Sequence, residues 1–400
     1  MNSVPSYTAA DLHDSARVLH LPRLRWLNPG WLCVFAALGL NLIGIIAIAT
    51  TQPGYAAKQS VFLFIGLCAA IVAAVPRYRI IHHFSVILLI FVIILLIFVL
   101  IPLVPDFLVH PRNGARRWIN LGITDFQPSE LAKIAYIFAL ASYLRYRSNH
   151  RSFRGLLIPL ILTFIPVTLI LAEPDLGTAL LFFPTFFAMM LAAGSRLKHI
   201  VLIVSLGLAV APTMYPFLQP HQKDRIQAII YQIKGDDRYI NDIGYQGHKA
   251  MTLVGAGGIT GTGASLARDL IQSNRLPEEH NDMIFAVIAC RWGFIGTLIV
   301  WGLFALFALG GLLTAILCRD PFGRLVAVGF IAVMFTQMII NTGMTIGLLP
   351  ITGMTLPFVS YGGSSLLTAW LMAGVLFNIA LRRDRTMNRP PFEFTTEDDQ

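Results

Sequence analysis

The chain has 400 residues, of which 56% are hydrophobic and 13% charged, and its formal net charge is +9. Soluble globular chains carry roughly 45–50% apolar and about 25% charged residues, so this composition excludes a soluble enzyme and, away from the ends, a disordered chain. The four cysteines, Cys33, Cys68, Cys290 and Cys318, lie in or beside apolar runs without Cys-x-x-Cys spacing, so neither a disulfide framework nor a zinc site is indicated.

Residues 1–28 are polar, contain Arg17, Arg23 and Arg25, and precede an apolar stretch too long for a signal core; they read as a cytoplasmic tail. Apolar runs of spanning length follow near 31–51, 57–76, 81–105, 128–146, 155–173, 176–194, 198–218, 283–317, 324–348 and 362–381. The reading is therefore an all-α membrane protein, a polytopic bundle of about ten transmembrane helices over residues 29–385. Residues 386–400 form a second polar tail, acidic at its tip.

Basic residues set the orientation. With the N-terminus in the cytoplasm, Arg77 and Arg79, then Arg145, Arg147, Arg151 and Arg154, then Arg196 and Lys198, Arg319 and Arg324, and finally Arg382, Arg383, Arg385 and Arg389 all fall on that side. Most of the positive charge follows from topology, and no nucleic acid partner is called for. Three outer segments stand apart. Residues 106–127 carry Arg112, Arg116, Arg117 and Trp118; a loop of about 219–282 is long, polar and Gly-rich; and Gly347–Ser365 is too rich in Pro and Gly to be one helix. Non-helical backbone near membrane depth is tolerated where it lines a cavity, so the chemistry is expected on this face.

Ionisable residues at the edges of spans are functional candidates by default. Glu130 and Lys133 follow Pro128 and lie three apart, on one helical face, placed either to pair in a cavity or to serve the helix dipole and snorkel. Asp175, in Glu173-Pro174-Asp175-Leu176-Gly177-Thr178, is placed to cap the next helix or to wall an active site. Pro277 marks a helix start, which puts Glu278 and Asp282, four apart, on the same face, and with His280 they offer a weak divalent-cation pattern; a plain set of acids at a helix N-terminus is the alternative. Arg291 falls about 13 Å further along the same span, where a guanidinium needs a partner or must snorkel.

Asn113-Gly-Ala-Arg-Arg-Trp118, Gln127-Pro-Ser-Glu130, Pro174-Asp-Leu-Gly-Thr178, Leu276-Pro-Glu278 with His280-Asn-Asp282, Gly347-Leu-Leu-Pro350 and Leu356-Pro-Phe-Val-Ser-Tyr-Gly-Gly-Ser-Ser365 occur in that order. Over residues 30–385 the chain resembles the SEDS family (shape, elongation, division and sporulation), the RodA/FtsW peptidoglycan polymerases. The resemblance implies a multi-pass inner-membrane glycosyltransferase with its large loop in the periplasm. It would polymerise lipid II, release undecaprenyl diphosphate, and work with a class B penicillin-binding protein among membrane lipids. It makes Asp282 the catalytic aspartate and Glu130 and Lys133 a cavity pair. Arg116, Arg117 and Lys249 become candidates for the diphosphate, with Arg112 behind them, while Trp118, Asp175, Glu278, Ser360 and Tyr361 are expected to line the substrate site. Mg²⁺ or Mn²⁺ is a candidate to share the diphosphate's charge. Met344-Thr-Ile-Gly347 and Leu366-Leu-Thr368 look like the elongation members; Thr355 before Leu356-Pro357 looks like the division members. A lipid flippase or a membrane scaffold would share the composition.

The chain departs from the family at three places. Acids usually stand at Cys290 and Arg291, Gln at Glu173, and Lys near Thr262. The expectation drawn from the first two is that Arg291 pairs with Glu173.

Overall fold

The computed structural model describes residues 27–382 apart from 113–114, 121, 123–124, 146–153, 218–219, 235 and 237–241. Its ten apolar helices are α1 (Gly30–Thr51), α2 (Pro53–Ala74), α3 (Tyr78–Leu100), α4 (Pro128–Leu144), α5 (Leu157–Ala172), α6 (Leu176–Ala192), α7 (Leu197–Met214), α11 (Ile284–Leu317), α12 (Pro321–Thr345) and α13 (Gly363–Leu381). They coincide with the ten expected spans. Six are long and apolar enough to cross a membrane by length and composition alone, and α5, α6 and part of α7 are shorter apolar helices. The chain is a polytopic α-helical membrane protein.

Proline sets two of the boundaries that differ from expectation. Pro53 opens α2 earlier, at a position where its missing N–H is unused. Pro102 and Pro105 stop α3 at Leu100 rather than near 105. Nearly every residue of α4 is buried, which makes it the central helix, flanked by α3 and α12. Around it, α1 packs on α11 and α13 on α2.

Two segments read as loops are folded. Residues 109–126 form an antiparallel sheet in the order β1 (Val109–Arg112), β2 (Ala115–Asn120), β3 (Asp125–Phe126). The long polar segment holds α8 (Pro220–Lys234), α9 (Tyr245–Gly257) and α10 (Ala264–Asn274). At the opposite end of the bundle, the buried Asp320 accepts from the Phe322 N–H (3.3 Å) and pairs with Arg79 (3.5 Å) and Arg145 (3.7 Å), tying α3, α4 and α12 together.

The long α11 is broken at Gly293 (φ 64°). A break leaves backbone groups without helical partners, and such groups must be satisfied at membrane depth. The Gly-rich segment after α9 satisfies them. Thr262 and Gly263 donate to the carbonyls of Cys290 and Arg291 (3.0 and 3.1 Å), while Phe294 and Ile295 donate to those of Gly258 and Ile259 (2.9 and 3.1 Å). Gly261 has φ +85°, and a side chain there would strike the Arg291 carbonyl. From Gly293 to Leu317 the helix is already long enough to cross about 30 Å of hydrocarbon at about 1.5 Å per residue. Arg291 therefore stands at the mouth of the spanning part, not deep inside it as the uninterrupted run suggested.

Gly261→Ala is expected to cost about 2 kcal/mol or more, through strained backbone and a forced opening of this junction. Thermal unfolding in detergent should show the loss, and Gly255→Ala, where an added methyl group meets nothing within 4 Å, should melt close to the parent.

Candidate active site

Asp282 lies in the turn between α10 and α11. The turn closes when Asn281 and Met283 donate to the Glu278 carbonyl (3.0 and 3.3 Å), with Glu278 itself at φ 52°. Because α11 starts only at Ile284, Glu278 and Asp282 do not share a helical face. The Glu278 carboxylate accepts from the Asn281 amide (2.5 Å) and acts on Asp282 through space. His280 is turned aside: its ring stacks on Tyr55 (4.4 Å between centroids) and lies 5.7 Å from that of Tyr361, whose N–H donates to the His280 carbonyl (2.9 Å).

The buried Asn341 of α12 holds this turn against the Pro/Gly segment. Its amide donates both to the Asp282 carbonyl (2.8 Å) and to the Met354 carbonyl (2.6 Å). The Asp282 side chain faces Gly353, where a methyl group would sit 3.8 Å from Oδ2. Asp282 is 7% exposed, and its Oδ1 has no hydrogen-bond partner among the described residues. Burial, helped by Glu278, raises its pKa to about 7 from an ordinary 3.8.

Met354 and Thr355 also touch two further groups of polar side chains. Gly177, opening α6, has room for no side chain because Met354 and Thr352 press on it. Two residues before it, Asp175 caps α6, accepting from the Thr178 N–H (3.1 Å), the Thr178 hydroxyl (2.9 Å) and the Gln127 amide (3.2 Å). The capping reading is the one realised, and Asp175 lies within electrostatic range of Glu173 and Arg225. On the other side Thr355 accepts from the Gln337 amide (2.8 Å), and the Gln337 oxygen accepts from Lys133 (3.3 Å). Lys133 pairs with Glu130 at 2.9 Å, both buried, so the pairing reading of these two residues is the one realised.

The basic candidates separate. On β2, Arg117 and Arg116 point to opposite sides. Arg117 donates to the carbonyls of Glu173 (2.7 Å) and Pro174, beside Asp175. Arg116 donates to Pro102 and Val104 and pairs with Asp106 (3.8 Å), which pins the sheet to the end of α3. Lys249 stays on α9 with its ammonium over the Tyr245 ring (5.4 Å). Trp118 is half-buried on β2 opposite His110. The Arg112 side chain and Asn113 lie outside the described residues. The Ser360 hydroxyl accepts from the Leu356 N–H (2.7 Å), and Tyr361 packs against Tyr55.

Arg291 does not pair with Glu173. It donates to the Ile46 carbonyl (2.9 Å) and the Thr50 hydroxyl (2.6 Å) and lies over the Trp292 ring. Glu173 sits instead between Asp175 and Arg117, and burial followed by Asp175 raises its pKa to about 9, so it is a neutral acid at pH 7. The two departures from the family pattern occupy different places and do not compensate one another.

Sequence reasoning missed Arg225. It is half-buried on α8, within electrostatic range of Asp282, Asp175 and Arg117. No motif marks it, because the element that delivers it was read as a loop. For a divalent cation the donors do not fit. Among the described residues no three of His, Cys, Asp and Glu come together, His280 is committed to its aromatic stack and Glu278 to Asn281.

The bundle and the polar side chains gathered at its loop end define a class. The family model described as cell cycle protein FtsW/RodA/SpoVE matches residues 30–385, and the chain belongs to that family. It is 33% identical over 372 residues to stage V sporulation protein E of Bacillus subtilis, covering 88% of this chain and 97% of that protein. It is 35% identical over 273 residues to the peptidoglycan glycosyltransferase MrdB of Escherichia coli, covering 68% and 72%. Among solved structures, a chain described with the structural coordination of polymerization and crosslinking by a peptidoglycan synthase complex matches with a TM-score of 0.77 at 29% identity, over 90% of this chain and 100% of that one. The rod shape determining protein RodA of Thermus thermophilus matches at 0.66 and 26%, over 90% and 99%.

Because Asp282 holds its proton more tightly folded (about 7) than unfolded (near 3.8), its contribution to stability falls as pH rises from about 4 to about 7 and stays lost above that. Asp282→Asn removes the ionisable group. At pH 8 the variant should melt a few degrees above the parent, with the gap closing toward pH 5. An unchanged or lower melting temperature at pH 8 contradicts the buried carboxylate.

Proposed function

We propose that this protein is a peptidoglycan glycosyltransferase that polymerises lipid II, the undecaprenyl-diphosphate-linked disaccharide-peptide, with Asp282 as general base. Its supporting observation is the Asp282 carboxyl group itself: buried, with Oδ1 unoccupied by any donor among the described residues, tuned near neutrality and fixed at its backbone by Asn341. A general base works best when its pKa lies near the operating pH.

Asp282 takes the proton from the 4-hydroxyl of the acceptor GlcNAc as that oxygen bonds to the anomeric carbon of the donor MurNAc. The carbon–oxygen bond to the diphosphate breaks, its electron pair leaves with undecaprenyl diphosphate, and the α-linked centre becomes a β-1,4 link. This single displacement inverts the centre and needs no covalent enzyme intermediate. Arg225, within electrostatic range of Asp282 and Asp175, and Arg117, within range of Arg225 and bound to the Glu173 carbonyl, are the guanidiniums proposed to receive the departing diphosphate. The neutral Glu173 adds no negative charge there. Glu130 and Lys133 cancel each other's charge and shape the cleft wall.

The cleft opens toward the periplasm in this reading. The basic residues near the Asp320 end mark the cytoplasmic side of an inner-membrane protein with both termini inside. Helices α8, α9 and α10 and the sheet are the surfaces offered to a class B penicillin-binding protein, which would crosslink the product. Elongation is the favoured cellular role on the Met344–Gly347 and Leu366–Thr368 patterns.

The test gives lipid II to the purified protein with its co-purified partner. Asp282→Asn should lower glycan polymerisation by about 10²–10⁴-fold. In the parent, the rate should rise about tenfold per pH unit below about 7 and level above it, because the base must be deprotonated. Full polymerisation by the folded variant refutes the assignment, and lipid movement across liposomes without polymer supports a transporter instead.

A further inference from the structure

The break in α11 creates a second basic feature that the transfer reaction does not use. Arg291, just before Gly293, donates through Nη1 to the Ile46 carbonyl and the Thr50 hydroxyl. Arg268 of α10 donates through Nε to the Thr50 carbonyl (2.8 Å). Two guanidiniums thus meet on one residue in the last turn of α1, within electrostatic range of each other.

A helix C-terminus carries about half a negative charge, so it offsets one quarter of the pair's two positive charges. Among the described residues neither arginine has a carboxylate within ion-pair distance. Glu279, at the same end of α1, is engaged by Gln52 (3.3 Å). The pair has about ten N–H donors between it, and the three contacts named use a minority of them.

The surroundings place the pair at a membrane interface. Ile46, Ile259, Leu266 and Phe294 are all exposed around it. In a polytopic helix bundle such a surface faces lipid, and the end of α1 marks the level where acyl chains give way to headgroups. Trp292, stacked under Arg291 (4.5 Å from guanidinium carbon to ring centroid), is a side chain enriched at that level.

We propose that Arg268 and Arg291 form a binding site for the phosphate of an anionic phospholipid in the leaflet at the loop end of the bundle. The phosphodiester bridges the two guanidiniums, and its acyl chains lie along the exposed residues of α1 and α11. Bound there, the lipid holds the α10–α11 junction, and with it the turn that carries Asp282, against α1. The site is separate from the diphosphate-binding arginines of the proposed reaction, and its test does not require that reaction.

Native mass spectrometry of the purified protein, titrated with phosphatidylglycerol or phosphatidylcholine, reads the site directly. The parent should prefer phosphatidylglycerol by about 25-fold, taken from about fivefold for each of the two basic residues near a lipid surface. Arg268→Gln with Arg291→Gln should lose most of the preference, and the double Lys variant should keep it. A parent without preference, or a folded double Gln variant with the preference intact, overturns the proposal. So does undecaprenyl diphosphate displacing phosphatidylglycerol at equal concentration in the parent but not in the double Gln variant, which would make the pair a substrate site. A second measurement does not depend on how the Arg variants fold. Brominated phosphatidylglycerol should quench tryptophan fluorescence more than brominated phosphatidylcholine, and Trp292→Phe should abolish the difference. Equal quenching by the two lipids in the parent counts against the site.

Discussion

The amide of Asn341 is the contact on which the cleft depends. One side chain, buried in α12, donates to the carbonyls of Asp282 and Met354 and so fastens the turn before α11 to the Pro/Gly segment before α13. Met354 and Thr355 in turn meet Gly177 beside the Asp175 cap and Gln337 beside the Glu130–Lys133 pair. Three sets of ionisable groups, from helices distant in sequence, are thereby held around one short stretch of irregular backbone. That stretch is tolerated at membrane depth because side chains satisfy its carbonyls.

The charge around Asp282 follows a consistent logic. Desolvation would make several buried carboxylates costly if all were ionised. The structure resolves this group by group. Glu130 has Lys133, Asp175 has the α6 N-terminus and Gln127, Glu173 keeps its proton, and Asp282 is balanced near neutrality. Asp282 combines a buried oxygen that has no hydrogen-bond partner among the described residues with a pKa raised to about 7. This singles it out as the proposed base on physical grounds, beside the family pattern.

Much of this was legible in the sequence. Ten apolar runs and the basic bias of their linkers announced the bundle, since spanning length and charge asymmetry are local properties. Asp175 as a cap and Glu130 with Lys133 as a pair were readable because both rest on helical spacing. What depended on tertiary contact was not. The run from 283 to 317 looks continuous because Gly293 is one glycine among apolar residues, so Arg291 was placed too deep and given the wrong partner. Arg116 and Arg117 are adjacent in sequence, and only the alternation of the strand that carries them sends one to the end of α3 and the other to the Glu173 and Pro174 carbonyls. Arg225 was hidden for a different reason: a polar helix outside the bundle has no strong pattern, and its nearness to Asp282 and Asp175 is a tertiary relation.

The junction between the Gly-rich segment and α11 has one more consequence. Its backbone pairs residue by residue, as neighbouring strands do, with Gly258, Ile259, Thr262 and Gly263 each matched to one position on either side of Gly293. Matching of this kind counts residues rather than volume. A single insertion or deletion between Gly257 and Gly263 would slide every partner onto the wrong atom, whatever amino acid was added. Spacing, rather than side-chain size, is therefore the constrained quantity in this stretch.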